Sequence, residues 1–175
     1  MKRLASLFVL ILCLILAGCS MDYSTDRYVE QDGRIYYTSS RSKVCFASGA
    51  FSWDGDPNHM EFVIPDTVEG YRVTALGGYL GRGVPDPFRL DMPTGPVDVP
   101  DGCVVRDLVF TLRLGRYVEK INSVSGGEVY LLNGEYVRPV FFVICDESNP
   151  HLHSVDGVLY SADGQQVTIC GQPEP

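Results

Sequence analysis

Past the first two dozen residues, short runs of β-branched and aromatic residues alternate with polar ones and are separated by Gly, Pro, Asn and Asp. This pattern predicts strands at Arg34 to Thr38, Lys43 to Ala47, Met60 to Ile64, Arg72 to Leu76, Leu108 to Leu114, Glu128 to Leu132, Glu135 to Ile144 and Val158 to Ser161. The last is expected to pair with Val167 to Cys170. Alternation is clearest from Leu108, where Leu108, Phe110, Leu112 and Leu114 fall on one face and Val109, Thr111 and Arg113 on the other. No long stretch carries the spacing of an amphipathic helix, so the expected fold class is all-β with little helix.

Two hairpins follow from turn chemistry, because Asn133-Gly134 and Asp163-Gly164 supply the positive φ angles that a two-residue turn requires. The segment Gly77 to Pro100 breaks the pattern. Gly77, Gly78, Gly81, Gly83 and Gly95 are interleaved there with Pro85, Pro87, Pro93, Pro96 and Pro100, which predicts a long irregular loop of the kind that often binds ligands.

The amino-terminal end reads differently. Lys2 and Arg3 precede an apolar run from Leu4 to Leu16, broken only by Ser6, and Leu16-Ala17-Gly18-Cys19 follows at once. A spanning helix needs about 20 apolar residues, so this shorter run ending in small residues reads as a cleavable export signal. Leu16 to Cys19 resembles the lipobox of bacterial lipoproteins, in which the cysteine receives a diacylglycerol and becomes the new amino terminus. The resemblance implies lipidation of Cys19 and an extracytoplasmic, membrane-anchored location, with the cell membrane, the outer membrane and the cell surface as alternatives. The expected organisation is a signal peptide over 1–18, a lipidated tether over 19–28 and one β-rich domain over 29–173. Two or more acyl chains anchor stably, so membrane contact is expected through the lipid on Cys19 alone.

Charge and cysteine usage narrow the function. The chain carries 22 acidic against 14 basic residues, a net charge of −8, and removal of Lys2 and Arg3 makes it more acidic still. Nucleic acid is therefore not an expected partner. Cys45, Cys103, Cys145 and Cys170 remain after cleavage, an even number in an oxidising compartment, and are candidate disulfide cysteines or buried thiols. Their spacing matches neither a zinc site nor a redox dithiol.

Catalytic and metal constellations are sparse. Asp54, Asp56 and Asn58 are spaced like the opening of a calcium loop, but His59 stands where that loop needs Gly and Pro65 where it needs Glu, so a turn is the better reading. His151 and His153 would share one side of an extended segment, with Asp156 as a third ligand, yet surface histidines explain them more simply. Ser154 beside His153 lacks the Gly-x-Ser-x-Gly elbow of a hydrolase, and the glycines of 77–83 lack the ending of a phosphate loop. The expectation is no enzyme, no metal and no cofactor. Aromatic residues in or beside turns, above all Trp53, Tyr79 and Phe88, are the candidate binding residues, with core packing as their alternative role.

Three segments share wording with a known family. Phe62 to Gly77 contains Ile64-Pro65 followed by Val73 to Leu76, Leu112 to Ile121 matches the same half-unit, and Asn149-Pro150 precedes Asp156-Gly157-Val158-Leu159-Tyr160 and a second Asp-Gly turn. These resemble the repeats and terminal hairpin of BspA-type leucine-rich repeat proteins. The resemblance implies a degenerate leucine-rich-repeat-like β-solenoid with hairpins, a stacked core of Ile64, Val73, Leu76, Leu114, Val118 and Ile121, and an opening β-meander over Val29 to Ile64 that caps the first repeat. The Ala-Phe-x-x-Cys segment usual after each unit is missing beyond Gly77 and Ile121, so the array departs from a regular one. The resemblance also implies adhesion, or binding of a protein or glycan at the cell envelope. The alternative expectation is an accessory lipoprotein that scaffolds another envelope component.

Overall fold

The computed structural model describes residues 27–32, 34–39, 43–47, 49–80, 84–86, 88–122, 124–125 and 127–169, and among these the fold is all-β, without helix. The first strands, β1 (Arg27–Gln31), β2 (Arg34–Ser39) and β3 (Val44–Ala47), form an antiparallel meander, and β4 (Gly49–Ser52) continues from it. Next come β5 (Glu61–Ile64), β6 (Thr67–Val68), β7 (Tyr71–Leu76), β8 (Gly78–Leu80), β9 (Val84–Asp86) and β10 (Phe88–Asp91). A third group comprises β11 (Val105–Leu114), β12 (Lys120–Ile121) and β13 (Val124–Ser125), and the chain closes with β14 (Tyr130–Leu132), β15 (Glu135–Cys145), β16 (Leu152–Val155) and β17 (Val158–Ser161).

Parallel pairing joins these groups into three stacks: β3, β7 and β12; β4, β10 and β13; and β5, β11 and β15. The chain passes through them in one cyclic order, β5 to β7 to β10 and then β11 to β12 to β13, so equivalent segments of successive passes lie side by side. Ile64 pairs with Leu114 and Leu76 with Ile121.

Alternation decides which side chains enter. Along β11, Phe110, Leu112 and Leu114 are buried while Val109 and Arg113 face solvent. The centre is a column of rings, Phe62, Phe110 and Phe141, with centroids 5.4 and 6.3 Å apart. Of the expected stacked core, Ile64, Val73, Leu76, Leu114 and Val118 are buried and Ile121 packs against them half-buried. Burying such apolar area is the main stabilising term of folding.

Turns behave largely as their chemistry demands. Asn133 and Gly134, at φ 50° and 85°, close the β14–β15 hairpin. Beyond β15, the β16–β17 hairpin turns at Asp156-Gly157, both at positive φ, and packs back on β15 through a hydrogen bond from Val143 N to Gly157 O of 3.0 Å.

Three expectations are corrected. Gly77 to Pro100 is no structureless loop: β8 and β9 pair as a hairpin, and β10 lies parallel to β4 with Phe88 and Leu90 turned into the core. Among the described residues β9 pairs only with β8, which leaves Pro85 on an edge strand, where proline is tolerated. Val158–Ser161 pairs with Leu152–Val155; at Asp163-Gly164, where Gly164 but not Asp163 takes positive φ, the chain folds back on it through a bridge of Gln166 with Tyr160 and bonds from Ser161 N to Gln165 O and from Val167 N to Leu159 O, and Cys170 lies outside the described residues. Arg27 and Tyr28, within the segment expected to be tether, already belong to β1, since pairing with β2 satisfies their backbone groups. Residues 1–26, with Cys19, lie outside the described residues.

Candidate functional site

A polar concave surface lies where three turns stack, those following β5, β11 and β15. Asp66, just past β5, accepts hydrogen bonds from Arg116 N at 2.9 Å and Arg116 Nε at 2.7 Å, which ties the first turn to the second. Gly115 allows this approach, because a β-carbon there would stand 2.7 Å from Asp66 Oδ1 and 3.0 Å from the Ile64 carbonyl. From the third turn, Asn149 Nδ2 donates to the carbonyls of Gly115 and Val118 at 3.0 and 2.9 Å, while its Oδ1 accepts from His151 N and Leu152 N. Backbone groups that a turn would leave unpaired are thus satisfied by the neighbouring turns.

Beside this ladder opens a cleft of about 410 Å³ lined by Arg72, Arg116, Tyr117, Glu119, Ser148 and His151. Both guanidinium groups lie over the Tyr117 ring, Arg72 at 4.6 Å and Arg116 at 5.0 Å from its centroid. The Asp66 carboxylate, through its hydrogen bond first, holds the Arg116 guanidinium above its usual range. Arg72 makes no ion pair with a carboxylate within 4 Å among the described residues. A second groove of about 430 Å³ is lined by Val63, Pro65, Asp66, Arg113, Cys145 and Glu147. Paired donors and acceptors of this kind recognise hydroxyl and carboxylate groups.

The candidate binding aromatics lie elsewhere. Trp53 is buried, only 8 % exposed; its Nε1 donates to the Asp56 carbonyl at 2.8 Å and its ring meets Phe110 edge-on at 5.3 Å. Phe88 is buried at the foot of the same ring column, 6.5 Å from Phe141. For both residues the structure takes the core-packing alternative. The side chain of Tyr79 lies outside the described residues.

Cys45, Cys103 and Cys145 are free thiols, buried, exposed and half-buried respectively; Cys170 lies outside the described residues. Burial pushes the Cys45 thiol up to about 12 and that of Cys145 to about 11, the latter helped by Asp146, so both are uncharged and poorly nucleophilic near neutral pH.

Local bonds account for the other polar clusters. Asp54 accepts from Asp56 N and contacts His59 Nδ1 at 2.7 Å, and Asp56 accepts from both nitrogens of Asn58. His153 stacks on Tyr160, His151 lines the cleft, and Ser154 Oγ accepts from Cys145 N. Among the described residues no three His, Cys, Asp or Glu side chains converge as a metal site would require.

The Asp54–His59 contact has a pH signature. Hydrogen bonding and charge from Asp54 hold the imidazole above its ordinary 6.5, while the Asp56 backbone and then His59 hold Asp54 below 3.8. The His59 contribution to stability is fully present below the unfolded imidazole value and is lost as pH rises through the folded one. That of Asp54 is present above its unfolded value and lost as pH falls through the folded one. Proton NMR titration should place His59 above the ordinary imidazole value of 6.5, and Asp54→Asn should bring it back toward that value.

Sequence reasoning missed Arg72, Arg116 and Tyr117, whose meeting depends on turns far apart in the chain. It also missed an outward strip of Tyr28, Tyr37 and Phe46 on the meander. The alternation of Tyr36 with Tyr37 and of Cys45 with Phe46 was its available signal. No protein-family model matches the chain, and neither the curated proteins nor the solved structures contain a match.

Proposed function

We propose that this chain is a lipid-anchored, extracytoplasmic binding protein of a bacterial envelope, held by lipid on Cys19, and that its ligand-binding surface is the Arg72–Tyr117 cleft. The leader pattern from Lys2 to Cys19 supports the anchor. The observation that carries the reading of the domain is register: the two segments resembling BspA-type repeats, 62–77 and 112–121, lie on consecutive passes with Ile64 opposite Leu114 and Leu76 opposite Ile121. This supports a degenerate leucine-rich-repeat-like β-solenoid, a build whose stacked turns commonly form extended binding surfaces. The meander on β3 and the β16–β17 hairpin on β15 then act as the caps such an array needs.

On this reading the protein is not an enzyme. Its ligand is a glycan or a protein surface bearing hydroxyl and carboxylate groups, recognised by the fork of Arg72 together with Glu119, Ser148 and His151.

The test is capture by the full-length protein of matrix proteins and glycans on one side and of solubilised envelope on the other. Saturable binding of an external ligand is expected, weakened about tenfold or more by Arg72→Ala, the loss of one charged hydrogen bond, and partly restored in Arg72→Lys. One stoichiometric envelope protein, with no external ligand, would make the chain a scaffold instead.

A further inference from the structure

The meander carries an aromatic strip that the cleft does not use. Tyr28 on β1 stands opposite Tyr37 on β2, and Tyr37 opposite Phe46 on β3, with ring centroids 5.5 and 4.8 Å apart. Their strand neighbours Tyr36, Thr38, Cys45 and Ala47 are buried, so alternation sends these three rings to the outer face. Cross-strand packing accounts for their contact with one another but leaves Tyr28 50 % and Ile35, on the same face, 40 % exposed.

We propose that this strip rests at the headgroup–acyl boundary of the bilayer that holds the Cys19 anchor; the inference depends on the lipid-anchor reading. Chain length argues for this occupant. Residues 20–26, fully extended, reach at most about 25 Å, and β1, which begins at Arg27 and bears Tyr28, is the edge strand of its sheet. Composition argues the same way. An exposed tyrosine joins an apolar ring to a polar tip, the combination that favours membrane interfaces. Among the outward positions of β1 to β3, which are Tyr28, Glu30, Ile35, Tyr37, Ser39, Val44 and Phe46, Glu30 is the only carboxylate. A chain of net charge −8 thus has a nearly neutral face beside its anchor. The lipid supplies attachment, and the strip sets the orientation of the domain.

The test uses the full chain, produced in a bacterial host with 3-fluorotyrosine and reconstituted in phosphatidylcholine vesicles containing headgroup spin-labelled lipid. Fluorine relaxation of Tyr28 and Tyr37 is compared with that of Tyr136 and Tyr160, on β15 and β17, and intact mass reports lipid on Cys19. Several-fold stronger relaxation at Tyr28 and Tyr37, reduced by Ile35→Ser with the lipid mass unchanged, is expected. Uniform or absent relaxation on a lipidated protein overturns the proposal while the anchor stands, as does protection of both tyrosines in a dimer detected by light scattering. A protein without lipid on Cys19 removes the anchor and the proposal together.

Discussion

Replacing Phe110 by alanine is expected to lower the unfolding free energy by about 3–5 kcal/mol, a large part of the 5–15 kcal/mol that roughly spans small domains. Phe110 is fully buried at the middle of the ring column and contacts Phe62, Phe141 and Trp53, which belong to different passes of the chain. Its ring is therefore the point through which three otherwise separate segments share one core. Truncation leaves a cavity that the flanking rings cannot close, because each is held in register by parallel pairing with its neighbour. Urea unfolding followed by tryptophan fluorescence checks this directly, since Trp53 reports from beside the lost ring. Val109→Ala is the control: half-exposed on the opposite face of the same strand, it should cost within about 0.5 kcal/mol.

A second large effect is expected at Gly157. It stands at φ +82° in the turn between β16 and β17, and an added β-carbon would collide with several atoms of the Phe142 ring. Left-handed backbone costs a side-chain-bearing residue about 1–2 kcal/mol, and forcing an extra carbon into a packed contact about 1–3 kcal/mol more. Gly157→Ala should then destabilise by about 2–5 kcal/mol. Loss should concentrate in the terminal hairpin, which docks on β15 through Val143 N and Gly157 O and buries Leu152 and Leu159. Hydrogen exchange should show β16 and β17 opening first while β11 keeps its protection. Gly164→Ala is the comparison, because Gly164 also has positive φ but faces open space.

The strands legible beforehand were those whose own residues carry the alternation. β11 announces itself through Phe110, Leu112 and Leu114, and Asn133-Gly134 fixes the register of β14 and β15. β10 obeys the same rule through Phe88 and Leu90, yet its signal is drowned by glycines and prolines that form the adjoining hairpin instead of a loop. β12 and β13 are two residues each and have no periodicity to read; they exist because parallel neighbours are already in place. β16 has a single buried apolar residue, Leu152, between two histidines.

The binding surface was less legible than the fold for a related reason. Trp53 sits in a turn-rich sequence that suggests exposure, but the chain before it belongs to β4, which aims the indole at Phe110. The turn ladder beside the cleft joins Asp66 to Arg116 and Gly115 to Asn149, pairs separated by 50 and 34 positions, and no local pattern encodes such meetings. What the sequence did contain was the chemistry of each turn, Asp and Asn side chains able to bond backbone groups. The stacking that sets those turns beside one another arises only when parallel pairing brings successive passes together.

The most direct test of the account is the mass of the amino-terminal peptide of the protein isolated from a bacterial envelope, with Cys19→Ser alongside. The account predicts a chain that begins at Cys19 and carries a diacylglycerol on its thiol, with Cys19→Ser neither cleaved there nor lipidated. A mature chain that starts at another residue with an unmodified Cys19, or one that keeps residues 1–18 in the cytoplasm, would contradict it.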